Sequence, residues 1–130
     1  MFTVGRLFVL FLLLLPLVGF GPSAAAAGKF AIAADGDQLD AKIAKLAGIA
    51  PFFHIYDANG NLLEVLANPH LELETGTGPA CATTLADRGV GVLVARRIPG
   101  PKMDDVLRAR DVRLVRRMGV VRDVVDELKE

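Results

Sequence analysis

The stretch Glu74-Thr75-Gly76-Thr77-Gly78-Pro79-Ala80-Cys81 organises the chain, because it joins a Gly-rich loop to the start of a helix. Pro79 suits a first helical position, where its missing N–H costs nothing. A helix start exposes unpaired N–H groups and the positive end of the macrodipole, which favours anions. Gly76 and Gly78 let the backbone approach a ligand closely. The stretch therefore predicts an anion site at a helix start, with the chain's only cysteine, Cys81, in the first turn.

Apolar runs on both sides of this stretch predict alternating strands and helices. Continuously apolar or β-branched runs are typical of strands, and apolar residues spaced three and four apart are typical of helices. Asn59-Gly60 is a strong local signal for a hairpin, and Gly48 is expected to end the first helix. The predicted strands are 29–34, 52–57, 62–66, 90–95 and 112–116, and the predicted helices are 39–47, 79–88, 103–107 and 121–128.

The connections between these elements predict how the strands pair. Only the second and third strands are joined by a tight turn. The other strands need crossover connections, so we expect them to be parallel and to form right-handed units. The sequence therefore predicts a three-layer α/β domain whose five-stranded mixed sheet is mostly parallel, with one antiparallel hairpin.

Residues 1–27 have the pattern of a secretory signal peptide. Arg6 is the only charged residue there, and an apolar run over 7–20 is followed by Ala24-Ala25-Ala26-Ala27. The run is shorter than the roughly 20 residues that a membrane-spanning helix needs. We expect cleavage after Ala27, which leaves residues 28–130 as one periplasmic or secreted domain that meets the membrane only through this segment. An uncleaved N-terminal anchor is the alternative.

Charge and cysteine content exclude several classes of function. The chain carries 15 basic and 15 acidic residues, and removing Arg6 with the leader leaves 14 basic ones. This near-neutral balance gives no electrostatic footprint for nucleic acid. One cysteine cannot form an intramolecular disulfide, and CxxC, CxxCH and HExxH motifs are absent. Thioredoxin, covalent haem and zincin sites are therefore unsupported.

Five stretches of the chain, in this order, resemble one family. They are Ile32-Ala33-Ala34-Asp35-Gly36, Leu39-Asp40-Ala41-Lys42-Ile43, Ala50-Pro51-Phe52-Phe53-His54-Ile55-Tyr56-Asp57, Gly76-Thr77-Gly78-Pro79-Ala80 and Gly89-Val90-Gly91-Val92-Leu93-Val94-Ala95. With them, almost all of residues 28–130 resembles the dinitrogenase iron-molybdenum cofactor biosynthesis domain, of the NifX type that also occurs at the C-terminus of NifB. Leu46-Ala47-Gly48-Ile49 stands where this family often has His-Phe-Gly-Arg.

The resemblance carries expectations about fold and ligand. It implies a small α/β domain of ribonuclease H-like topology with a five-stranded mixed sheet. It also implies a protein that binds or carries iron-sulfur or iron-molybdenum cluster precursors, and a partner protein that donates or accepts the cluster. Nuclease activity does not follow, because a fold does not imply a function.

Two residues are candidate metal ligands, Cys81 and His70. A thiol in the first turn of a helix has its pKa lowered by the dipole, which favours the metal-binding thiolate, whereas a buried cysteine acts as a small hydrophobe. His70 lies in the loop before the glycines, where an imidazole either binds a metal or cluster iron or is solvated. His54 alternates with Phe52 and Tyr56 along a strand, which favours a hydrogen-bonded core histidine over a ligand.

The other candidates lie where strands end and where the helix starts. Asp35 and Asp37 follow the first strand and would border a ligand crevice at the carboxyl ends of the strands, although Asp-Gly-Asp also makes a good turn. Arg96 and Arg97 follow the fourth strand, where they would neutralise an anionic cluster or form a solvated pair. The predicted cofactor-binding residues are Asp35, Gly36, Gly76, Thr77, Gly78, Arg96 and Arg97.

The hypothesis that follows is an exported, non-catalytic carrier that holds a metal cluster, a metal ion or a small anion. The alternative is a cofactor-free periplasmic interaction module, which docks a partner through an edge strand or an arginine-rich C-terminal face. An enzyme is the least supported class, since no nucleophile, base and orienting group can be assembled from these residues.

Overall fold

A computed structural model describes residues 28–129, so the predicted leader, residues 1–27, lies outside the described residues. A short 3-10 turn, Ala47–Ile49, precedes the second strand. Within residues 28–129, no helix is long and apolar enough to cross a membrane. The elements are β1 (Lys29–Ala34), β2 (Phe52–Tyr56), β3 (Leu62–Ala67), α1 (Thr77–Asp87), β4 (Val90–Ala95), α2 (Pro101–Ala109), β5 (Arg113–Arg116) and α3 (Val121–Leu128).

The five strands form one mixed sheet in the order β3-β2-β1-β4-β5, as the sequence predicts in number and type. The β2–β3 hairpin is antiparallel, and β4 lies parallel to both β1 and β5. The expectation of a parallel β1–β2 pair is wrong, because these strands pair antiparallel, with Ile32 opposite His54. Two of the four neighbouring pairs in the described sheet are thus parallel.

The segment between β1 and β2 explains this difference. The apolar spacing predicts a helix over 39–47, but the segment is irregular apart from its final 3-10 turn. Its backbone bonds to the ends of the parallel strands instead: the Ala44 N–H donates to the Ala33 carbonyl at 2.7 Å, and the Arg96 N–H donates to the Ala44 carbonyl at 3.0 Å. Backbone groups that are satisfied by neighbouring strands leave no helical ladder, and the chain returns antiparallel.

Helices cover both faces of the sheet and form two cores. On one face, α1 and α2 contribute Cys81, Leu85, Met103 and Leu107 to a cluster with β-strand residues such as Phe53. On the other face, α3 contributes Val121, Val124 and Val125 to a cluster with Phe30, Ile32 and Tyr56. Among the described residues, the two clusters therefore lie on opposite faces of one sheet.

One end of the sheet collects the segments that sequence analysis singled out. The strands β1, β4 and β5 run parallel, so their carboxyl ends, and the loops that follow them, lie at the same edge. The β3 strand ends there too, since it is antiparallel to β2, which is antiparallel to β1. Both α1 and α2 begin at this end, which is where ligands bind in open α/β sheets.

Candidate functional site

An open cleft lies between the starts of α1 and α2. Its volume is about 390 Å³, and its walls are largely apolar. The walls come from the 3-10 turn region 46–49, from Gly78 and Pro79 at the start of α1, and from segment 99–103 at the start of α2. The positive ends of two helix macrodipoles therefore border one apolar space.

Glycines make this geometry sterically possible. A Cβ atom on Gly48 would lie 2.9 Å from the Cα of Gly78, and a Cβ on Gly78 would lie 3.0 Å from the Cβ of Met103. Gly76, the residue before α1, has a φ of 78°, a left-handed conformation that favours glycine. The Gly-rich stretch thus lets the 3-10 turn and the two helix starts approach one another closely.

The helix starts offer backbone donors to the cleft. The N–H groups of Gly78, Lys102 and Met103 have no hydrogen-bond acceptor among the described residues, and all three residues line the cleft. Neither helix has a side-chain cap that would occupy its first donors. Such unpaired N–H groups at a helix start are suited to anionic or polar ligand atoms.

Asn68 ties the loop between β3 and α1 to that helix. Its side chain is buried and donates from Nδ2 to the Ala50 carbonyl at 2.9 Å. Its Oδ1 accepts the His70 N–H at 2.9 Å and the Cys81 thiol at 3.3 Å. One amide therefore joins three segments of chain, because asparagine has both donors and acceptors.

Cys81 is buried in the core beneath α1, with only 1% of its surface exposed. Burial raises the pKa of its thiol, and the hydrogen bond to Asn68 opposes that shift. Of the two interpretations of Cys81, the buried small side chain fits this environment better than the thiolate, because burial favours the neutral thiol. The helix also begins at Thr77 rather than at Pro79. That earlier start moves Cys81 into the second turn, away from the first-turn donors.

The raised thiol pKa predicts a loss of stability at alkaline pH. The unfolded chain releases the thiol proton at an ordinary pKa of about 8.5, whereas the folded chain holds it to higher pH. The stabilising contribution of the neutral thiol is therefore complete below that value and is lost as pH rises through the folded-state pKa.

The quantity to follow is the difference in free energy of unfolding between the wild-type protein and Cys81→Ala. We expect this difference to fall as the pH rises from 8 to 10. Urea unfolding at several pH values measures this difference. The pKa of Tyr56 is also raised by burial, but its contribution cancels between the two proteins. A difference that stays flat over this range would contradict the assignment.

His70 lies close to this network, and its Nε2 shares a hydrogen bond of 2.7 Å with the Thr84 Oγ1 on α1. Within residues 28–129, no group of three or more His, Cys, Asp or Glu side chains is placed to hold a metal ion. Cys81 and His70 thus both contact Asn68 but have no third protein ligand there. Their role as metal ligands stays a prediction.

His54 is a core histidine, as the strand pattern predicts. It is fully buried, and its Nε2 donates to the Gly36 carbonyl at 2.8 Å. It pairs with Ile32, which belongs to the core under α3, whereas His70 contacts α1 on the opposite face. The sheet therefore separates the two histidines. Asp35 and Gly36 follow β1 and do not line the cleft. The Gly36 carbonyl accepts the His54 hydrogen bond instead.

Arg96 and Arg97 are not part of the cleft lining but lie three and two residues before Pro99, where one lining segment begins. Both side chains are exposed, and neither belongs to an ion pair found among residues 28–129. The Arg97 N–H donates to the Lys45 carbonyl at 3.0 Å. Arg97 therefore lies between two cleft-lining segments, since Leu46 follows Lys45 and Pro99 lies two residues beyond Arg97.

Sequence reasoning missed the residues that shape the cleft. Gly48 was expected to end a helix, and its contact with Gly78 depends on two segments 30 positions apart. Asn68 was predicted only as part of a loop, although an Asn-Pro pair is a signal for a local side-chain turn. Lys102 and Met103 carry no local signal for ligand binding.

Comparison with known proteins agrees with this fold. The chain is similar to the apo form of the orange protein from Desulfovibrio gigas, at 29% sequence identity and a TM-score of 0.70, over 77% of this chain and 85% of that one. It is also similar to a Thermotoga protein of the DUF35 family, classed provisionally as NifB, at 29% identity and a TM-score of 0.65, over 76% and 84% of the two chains.

No curated protein matches the chain. Residues 28–130, however, match the model of the family described as dinitrogenase iron-molybdenum cofactor, and this range contains every described strand and helix. The stretches that carry the resemblance lie in β1, in the segment that follows it, in β2, at the start of α1 and in β4. The chain therefore belongs to the dinitrogenase iron-molybdenum cofactor family, with a NifX- and NifB-like domain at residues 28–130.

Proposed function

We propose that residues 28–130 form a non-catalytic carrier that holds an anionic metal cluster, or a smaller anion, as cargo in the cleft between α1 and α2. Membership of the iron-molybdenum cofactor family supports the class of cargo. The single observation that carries the proposal is an apolar cleft of about 390 Å³ bordered by two helix starts. A partner protein would donate or accept the cargo.

The residues present fit a cargo that is held without bonds from protein to metal. The only thiol is buried and protonated, and residues 28–129 offer no ready set of metal ligands. The free N–H groups of Gly78, Lys102 and Met103 instead suit the outer sulfide or oxygen atoms of a cluster. Arg97, which is exposed and lies two residues before the cleft-lining Pro99, adds positive charge in a side chain that forms charge-assisted hydrogen bonds.

We further propose that the protein acts outside the cytoplasm. The support is the signal-peptide pattern of residues 1–27, with cleavage expected after Ala27. An uncleaved N-terminal anchor is the alternative. Edman sequencing of the protein secreted by its host distinguishes the two, since a chain that begins at Met1 would contradict cleavage.

The ribonuclease H-like topology is part of the same proposal. The strand order β3-β2-β1-β4-β5, with only β2 reversed, supports it. A nuclease is not implied, because two-metal chemistry needs converging carboxylates, and the buried residues of the described strands are apolar apart from His54.

A cofactor-free interaction module is the second candidate function. One observation favours it: Cys81 is almost fully buried, so the most reactive side chain in the chain does not face the cleft. Such a module would keep the fold and dock a partner, but it would show no stoichiometric metal after reconstitution.

Anaerobic reconstitution tests the carrier directly. Residues 28–130 are incubated with ferrous iron, sulfide and molybdate, desalted, and measured by metal analysis and visible absorption. We expect retained metal and sulfide in a constant ratio to protein, with visible charge-transfer bands. A colourless, metal-free protein after this treatment would contradict the cluster proposal and favour the interaction module.

Reversal of the Arg97 charge should weaken cargo retention. A change of two charge units close to an anion is worth roughly 1–2 kcal/mol near a protein surface, or about tenfold in affinity. We therefore expect Arg97→Glu to release the reconstituted metal about ten times more readily during desalting and chelator challenge.

Arg110→Glu is the matched control for this substitution. Arg110 lies at the opposite end of α2 and pairs with Asp87 in an exposed contact of 2.8 Å. Its reversal makes the same change in net charge far from the cleft, so metal retention should match wild type. Equal loss in both variants would indicate a general charge effect rather than a contact between Arg97 and the cargo.

A further inference from the structure

A second open groove lies between α2 and the edge strand β5. Its volume is about 410 Å³. Ile98, Val112 and Leu114 line it together with three arginines and one acid. Ile98 is 63% exposed, so part of this apolar surface faces solvent. The groove therefore combines apolar contact area with an excess of positive charge.

Two of the three arginines in this groove have no acidic partner there. Arg108 binds Asp104, the only acid that lines the groove, at 2.7 Å. Arg113 and Arg116 are exposed, and neither belongs to an ion pair found among residues 28–129. Free guanidinium groups bind carboxylates through paired, charge-assisted hydrogen bonds. The groove is thus complementary to a ligand with at least two acidic groups.

The β5 strand also offers an open edge to an extended chain. Among the described residues it pairs only with β4, so its other edge has backbone donors and acceptors without a neighbouring strand. Arg113 and Arg116 are three residues apart, which is about 10 Å along a strand. A second strand has the same rise per residue, so two acids placed three residues apart match this spacing. Separated charges along an edge fit an extended chain better than one small anion.

The same charges disfavour two other occupants of this edge. If β5 paired antiparallel and in symmetric register with β5 of a second copy, each Arg113 would face an Arg116, and like charges directly opposite are destabilising. Residues 1–27 contain one charged residue, Arg6, and no acid, so they bring no complementary charge. The matching occupant is therefore an acidic segment of another protein.

We propose that β5 and α2 bind an extended acidic segment of a partner protein, which joins the sheet as a sixth strand beside β5. The backbone of the segment pairs with the open edge, as in β-strand addition. Two of its carboxylates bind Arg113 and Arg116, and its apolar side chains contact Leu114 and Ile98. The groove and the cleft share no lining residue, so this binding does not depend on the cargo.

Fluorescence anisotropy with labelled peptides tests the proposal on protein purified from its host. The acidic probe is the peptide Thr-Val-Glu-Val-Thr-Glu-Val-Thr, and matched peptides carry glutamine or lysine in place of both glutamates. At low ionic strength we expect the acidic peptide to bind at least about tenfold more tightly than the glutamine peptide, because two ion pairs are lost in the latter. The lysine peptide should not bind. An acidic peptide that does not bind overturns the proposal.

A charge reversal tests whether the two arginines make the contact. Arg113→Glu with Arg116→Glu should lose the acidic peptide by at least about tenfold and gain the lysine peptide, because attraction and repulsion change places. Arg122→Glu with Lys129→Glu is the matched control, since both residues are exposed and lie outside the groove, on and directly after α3. The control should bind the acidic peptide like wild type. Equal loss in both double variants overturns the proposal.

A methylated peptide tests strand pairing separately from charge. It keeps both glutamates but carries methyl groups on its backbone nitrogens, so it cannot donate hydrogen bonds to β5. We expect it to bind at least about tenfold more weakly than the unmethylated peptide. Equal binding of the two overturns the proposal. Displacement of the acidic peptide by anionic phospholipid vesicles overturns it as well, and would assign the arginines to a membrane surface.

Discussion

Gly48→Ala is expected to lower the free energy of unfolding by about 2–3 kcal/mol, the upper range for overpacking a close contact. The added Cβ would lie 2.9 Å from the Cα of Gly78, which is backbone and cannot move as a side-chain tip can. Relief requires the 3-10 turn to move away from α1. Urea unfolding followed by circular dichroism measures the loss.

The same substitution should also alter the cleft, because both glycines line it. Gly100→Ala is the matched control: Gly100 lines the cleft too, but its φ of −64° suits alanine, and an added Cβ would meet nothing within 4 Å. We expect that control to stay within about 0.5 kcal/mol of wild type. Equal stability in Gly48→Ala and Gly100→Ala would show that the close approach of the two segments is not required.

Asn68→Ala is expected to cost about 3 kcal/mol of stability. The substitution leaves the Ala50 carbonyl and the His70 N–H without their side-chain partners. The thiol of Cys81 loses its contact at 3.3 Å and keeps only the Gly48 carbonyl at 3.5 Å. Each buried group left unsatisfied costs about 1–3 kcal/mol. The measurement is again urea unfolding, with wild type at the same pH.

A second readout separates loss of this network from general instability. Release of the loop should expose Cys81, so the folded variant should react with a disulfide reagent at least about ten times faster than wild type, below the unfolding transition. Asn59→Ala is the control, because Asn59 lies in the exposed β2–β3 turn, where the contact is made by its backbone N–H. Wild-type thiol reactivity in Asn68→Ala would contradict the role assigned to the amide.

Local sequence signals predicted the elements whose structure depends on near neighbours. The apolar run of β4 became a central strand, and Asn59-Gly60 became the turn of the hairpin, where Gly60 has a φ of 87°. Val121, Val124 and Val125 form the buried face of α3, as their helical spacing predicts. Such patterns are reliable because side-chain direction follows the period of the backbone.

The segment between β1 and β2 could not be predicted in this way. The helical spacing from Leu39 to Ala47 was real, but only Ile43, Ala44 and Ala47 are buried, while Leu39 stays 48% exposed. The backbone of this segment has partners on β1, directly after β4 and at the start of α3, where the Val121 N–H donates to the Ala41 carbonyl at 2.9 Å. Tertiary hydrogen bonds overrode a weak local helix propensity.

The sequence by itself determined the class of the fold, the five strands and the Gly-rich start of α1, because propensity, turn chemistry and apolar period act within a few residues. Only the tertiary structure decided that Cys81 is buried, that Asn68 joins three segments, and that Gly48 meets Gly78 at the cleft. These contacts join residues far apart in the chain, and their existence depends on the strand order. The cleft therefore depends on steric fit and burial between distant segments. No local pattern in the sequence encodes these contacts.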